Sequence, residues 1–155
     1  MTLNELYFGN PHRKNLNYLN TNNYLDTLIT ELQNFPYPEN DSEKSLAELK
    51  DLVALVERIS SNQEIVNRFI AYDSEMEEGI AYALSKAGED KQKVFELIKQ
   101  VKDDINPLLV KIKFYYQRIR PYQLAIYRNI PLYPFRSLAA DSPSYPSGHA
   151  FQSCV

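Results

Sequence analysis

The chain has 155 residues, a net charge of −3, 44% apolar side chains and one cysteine, Cys154. That length is about one domain, the apolar content argues against disorder, and a lone cysteine excludes an internal disulfide framework. No apolar run approaches the ~20 residues of a membrane span and Met1 to Leu16 has no signal-like core, so a soluble, cytoplasmic protein is expected.

Taken in order, the pattern predicts helices and no strands. Residues 1–20 are Asn-rich and read as irregular. A first helix is expected from about Asn23 to Asn34, with Tyr24, Leu25, Leu28, Ile29 and Leu32 sharing a face, ended by Phe35-Pro36-Tyr37-Pro38. A second opens at Ser45, where Ser45 and Glu48 have capping-box spacing, and Leu46, Leu49, Val53, Val56 and Ile59 form a core stripe. Ser61 with Glu64 offers another cap, followed by Ile65, Val66, Phe69 and Ile70. A short helix through Ile80 and Leu84 stops at Gly88, and Val94, Phe95, Leu97, Ile98 and Val101 mark the next. Asn106-Pro107 reads as a cap and first turn, so a new helix is expected from Pro107 to about Ile119. Tyr122 to Ser144 reads as loop with a short helical turn near Tyr122 to Tyr127, and a last helix begins around Ser147.

Charge divides this one expected domain, residues 1–155, into two parts. From Ile105 onward Lys111, Lys113, Arg118, Arg120, Arg128 and Arg136 face a single acid, Asp141, about +5 against about −8 for residues 1–104. A small basic part suits a focused anion site; a nucleic-acid face would want a longer basic stripe, so no nucleic-acid partner is expected.

Two short cassettes in that basic part carry chemistry. In the first, Lys113 is followed after six residues by Arg120-Pro121. Seven residues make almost two helical turns, so both side chains would lie near one stripe, ~10 Å apart along the axis. Lysine supplies a point charge and arginine a planar fork matched to two phosphate oxygens, while Pro121 puts Arg120 at or just past the helix end. The second cassette is Pro146-Ser147-Gly148-His149. Ser147 and the amides after it would sit at a helix N-terminus, Gly148 permits close backbone approach, and His149 adds an imidazole that can donate a proton. Either cassette alone is compatible with a solvated helix face and an ordinary turn.

Together and in this order, they resemble the type 2 phosphatidic acid phosphatase superfamily, which includes bacterial non-specific acid phosphatases and vanadium haloperoxidases. The resemblance covers roughly residues 105–155 and implies an all-α helical bundle of that type. It implies that Lys113, Arg120, Ser147 and the amide of Gly148 bind phosphate oxygens and that His149 protonates the leaving group. The implied substrate is a small phosphate ester, hydrolysed through a phosphohistidine, with no metal and no organic cofactor. The superfamily's third cassette, Ser-Arg-x5-His-x3-Asp, supplies the nucleophile and has no counterpart in these 155 residues. His12, in the irregular N-terminal stretch beside Arg13 and Lys14, is not assigned as a substitute. The expectation is therefore a bundle incomplete at its C-terminus, a fragment of a longer phosphatase or an inactive chain, in which Ala150, Phe151, Cys154 and Val155 begin a core-facing helix. Two alternatives stay open. One is a haloperoxidase holding vanadate, which mimics phosphate, in the same cradle. The other is a non-catalytic anion-binding or helical interaction protein.

Overall fold

The computed structural model describes residues 2–74, 76–135, 137 and 140–153. Arg136, Cys154 and Val155, which enter the charge count and the expected final helix above, lie outside the described residues. Within those residues the protein is all-α, with no strand. The α-helices are α1 (Arg13–Leu19), α2 (Ile29–Leu32), α3 (Glu43–Ser60), α4 (Gln63–Ser74), α5 (Met76–Lys86), α6 (Lys91–Tyr116), α7 (Pro121–Tyr127) and α8 (Gly148–Ser153). Single 3-10 turns cover Leu3–Glu5 and Tyr24–Leu28. No helix among the described residues is long and apolar enough to cross a membrane.

The long helix α6 organises the rest, with α1, α2, α5 and α8 packed against it. It starts where the Asp90 carboxylate accepts the N–H groups of Gln92 and Lys93, at 3.0 and 3.2 Å. The expected break at Asn106-Pro107 does not occur, and α6 runs straight through Pro107. Proline in a helix interior removes one hydrogen bond at a cost of about 3 kcal/mol. Here the unserved carbonyl belongs to Asp103, an exposed residue, and the next one, on Asp104, accepts Asn23 Nδ2 at 2.6 Å. Ile105, Leu108, Leu109 and Ile112 are each at most 4% exposed. Such burial contributes roughly 1.5–3 kcal/mol per side chain, so packing outweighs the proline.

Other boundaries also move for local reasons. Residues 13–19 are helical and pack on α6, and buried Asn15 also ties them to the loop before α8, donating Nδ2 to the Asp141 carbonyl at 2.9 Å. Tyr24 and Leu28 point to solvent, since a 3-10 turn repeats at three residues and does not keep them on the α2 face. The cap of α3 is Ser42, whose Oγ accepts the Ser45 N–H at 3.1 Å, while Ser45 is itself buried in the first turn. The cap of α4 is Asn62, not Ser61, with Oδ1 accepting the Ile65 N–H at 3.1 Å. On α4 only Val66 of the expected apolar set is buried, and Leu97 on α6 is exposed. Gly88 ends α5 at φ +97°, a conformation that favours glycine.

A second cluster, Leu49 with Ile119, Leu124 and Ala125, ties α3 to α7 and its lead-in, with Leu3, Leu6, Ile130 and Leu132 packed around it. This holds the chain between α6 and α7 in place. Phe151 is half-buried over a hollow formed with Ile112, Tyr116 and Tyr145, whereas Ala150 is exposed.

Candidate functional site

The geometry of the first cassette differs from the helical stripe expected for it. Helix α6 ends at Tyr116, and Gln117, at φ 53°, closes it with an N–H to the Lys113 carbonyl at 2.9 Å. Residues 118–120 then run to Arg120, which is extended (φ −76°, ψ 153°), as a residue before proline must be, and precedes Pro121 at the first position of α7. The Gln123 carboxamide accepts the Arg120 N–H at 2.8 Å and fixes this corner. Lys113 and Arg120 therefore approach from a helix end and a helix start, not along one helix face.

What brings them together is the segment leading into the second cassette. Three successive carbonyls each accept a side chain from a different element. Asp141 takes Asn15 Nδ2 at 2.9 Å, Ser142 takes Arg120 Nε at 2.7 Å and Pro143 takes Lys113 Nζ at 2.8 Å. Ser144 returns the connection, its N–H donating to the Arg118 carbonyl at 2.9 Å and its hydroxyl to that of Ile119 at 2.8 Å. The chain then passes through Tyr145–Pro146, a cis peptide, to Ser147. Ser147 Oγ accepts the Ala150 N–H at 3.3 Å and so caps α8. Over the described residues α8 comprises Gly148–Ser153, and its first-turn N–H groups lie at the cavity rim.

Lys113, Arg120, Ser147, Gly148 and His149 all line one cavity of about 250 Å³, together with side chains from α1, α5 and α6. Lys113 is 6% exposed. Burial, reinforced by the Arg120 charge and opposed by Asp141, lowers its ammonium to about 7. Burial also pulls the Arg120 guanidinium down, against Tyr122, Asp141 and Asp73, yet a guanidinium keeps its proton at any ordinary pH. Ser147 and His149 are exposed on the rim, and the His149 imidazole makes no hydrogen bond among the described residues. Gly148 is not sterically required by the protein itself, since a Cβ there would meet only Leu109 Cδ2 at an ordinary 3.6 Å.

Several lining groups lie outside the two cassettes and carry no local signal in the sequence. Lys14, Asn15 and Tyr18 come from α1, and Lys102 and Asn106 from α6, while Asp73 and Glu77 add carboxylates. Glu77 is ion-paired with Lys102. Burial works to raise the Glu77 carboxyl, but the Lys102 hydrogen bond and charge, with His149 adding to them, set it below its ordinary range. Asp73 accepts the Ser137 hydroxyl. Four basic side chains, Lys14, Lys102, Lys113 and Arg120, thus share the cavity wall with three carboxylates, Asp73, Glu77 and Asp141. His12, the cap of α1, does not line the cavity. Among the described residues no three His, Cys, Asp or Glu side chains converge as a metal centre would require.

The chain matches no protein-family model, no curated protein and no solved structure.

Proposed function

We propose that this cavity holds a tetrahedral oxyanion, the phosphoryl group of a small phosphate monoester. The chain is then a helical-bundle phosphatase site of the type 2 phosphatidic acid phosphatase kind. One observation carries the reading: five residues chosen on spacing, across two separate cassettes, line a single small cavity. Lys113 uses one of its three donors on Pro143 and keeps two for an anion. Arg120 is held beside it on the adjacent carbonyl. The Ser147 hydroxyl and the Gly148 amide are the donors of the rim, and His149 is the acid for a departing alkoxide. A phosphohistidine route needs a second imidazole in the cavity, and among the described residues His149 alone lines it. That observation favours, as a second reading, anion binding without turnover.

Soaking crystals with tungstate, a dense phosphate mimic, tests the main claim. Density bridging Lys113 Nζ, the Arg120 guanidinium and the Gly148 amide is expected, and an empty cavity at saturating tungstate overturns it. Release of phosphate from p-nitrophenyl phosphate separates the two readings. Turnover lost in His149→Ala supports the phosphatase, and binding without any turnover supports the second.

A further inference from the structure

The proposed phosphate position leaves open what the phosphate is attached to, and the walls around His149 carry an answer. A general acid must face the ester oxygen, so the alcohol part lies on the His149 side. On α8, Gln152 is three residues on from His149 and shares its face, whereas Phe151, two residues on, falls about 200° round the helix. The hollow bounded by Phe151, Tyr145 and Pro146 therefore lies behind the acid rather than before it. Gln152 Nε2 donates to Asn106 Oδ1 at 3.1 Å. Two carboxamides joined by one such bond keep an NH2 group on one and a C=O on the other, whichever way round the pair is drawn. Neither Asn106 Nδ2 nor Gln152 Oε1 has a partner among the described residues, and both residues line the cavity. The Glu77–Lys102 pair and Tyr18 extend the same polar wall, and among the described residues Leu109 and Val110 are its only aliphatic members.

Resting on the phosphate reading above, we propose that the site takes the phosphate of a polyol or sugar, whose adjacent hydroxyls bridge Asn106 and Gln152. One hydroxyl of a vicinal diol accepts from the Asn106 amide while the other donates to the Gln152 carbonyl. An alkyl or aryl ester would leave both groups desolvated without partners, so the site discriminates against it.

Calorimetric titration of the full chain with orthophosphate, glycerol 3-phosphate and propyl phosphate tests this, the two esters sharing a carbon count and differing in two hydroxyls. Glycerol 3-phosphate is expected to bind about tenfold more tightly than propyl phosphate, as two net hydrogen bonds imply. Asn106→Ala and Gln152→Ala should each bring that ratio toward one. Propyl phosphate binding as tightly as the diol, with orthophosphate still bound, overturns the polyol assignment alone. A preference that survives in both variants also overturns it. Failure of orthophosphate to bind removes the phosphate reading and this inference with it. The ligand comparison on the unaltered protein stands even if a variant does not fold.

Discussion

Lys113 concentrates the physics of the site in one side chain. Its ammonium sits near 7 in the folded protein because burial, and then Arg120, disfavour its charge. The unfolded chain holds that proton up to the ordinary lysine range, so it binds more protons than the native state from about pH 7 to about 10.4. Stability from this group therefore rises with pH across that window and is lowest below it. Replacing it with Met removes the dependence. Urea unfolding should find Lys113→Met losing about 3 kcal/mol relative to wild type between pH 7 and 9.5. A difference that stays flat contradicts the assignment. The same shift links anion binding to protons. At pH 8 the empty site leaves Lys113 mostly neutral, so binding sulfate, which does not titrate there, should draw in about one proton. Calorimetry in buffers of different ionisation enthalpy reads this directly, and zero uptake would rule it out. Gly148 makes a complementary case. A Cβ there meets only ordinary contact with Leu109 and no positive φ is involved, so Gly148→Ala should leave stability within about 0.5 kcal/mol of wild type. An anion seated against the Gly148 backbone would meet that Cβ, so orthophosphate affinity should nevertheless fall about tenfold, whereas unchanged affinity would exclude so close an approach.

At the scale of the element, what was legible in the sequence follows from local chemistry. The apolar periodicity of α3 and the Gly88 stop are short-range signals and were readable as such. Pro107 was misleading because the compensation is tertiary: burial of Ile105, Leu108, Leu109 and Ile112 against neighbouring helices is not written in the dipeptide. Yet those residues repeat at three- and four-residue steps, and Lys113 continues their stripe four residues beyond Leu109. A lysine in that register shares the buried face of the helix, so its burial is a signal the spacing itself carries. Helix α1 was invisible because its anchor is a buried asparagine, not an apolar face. Asn15→Ala should therefore destabilise by about 1–3 kcal/mol, the desolvated Asp141 carbonyl losing its donor, as measured by denaturant midpoint. A neutral result would mean α1 does not clasp the site. The caps give a sharper comparison. Asn62→Ala should cost about 1 kcal/mol and Ser61→Ala only a few tenths, the reverse of what the Ser61–Glu64 spacing suggests.

Across the whole molecule, the cavity exists because distant elements meet on one stretch of backbone. Carbonyls 141, 142 and 143 are held by α1, the corner before α7 and the last turn of α6 respectively. The two cassettes lie 26 residues apart from Arg120 to Pro146, and no local rule brings them together. Their order and spacing singled out the residues, while the stitching through 141–144 explains how they converge. The anion grip is the claim on which everything else rests. Titrating orthophosphate into wild type and Arg120→Ala at pH 6, where Lys113 is charged, tests it most directly. Saturable one-to-one binding to wild type is expected, weakened about tenfold or more in Arg120→Ala by loss of a charge-assisted bond. No saturable heat, or equal affinity in the two proteins, would contradict it.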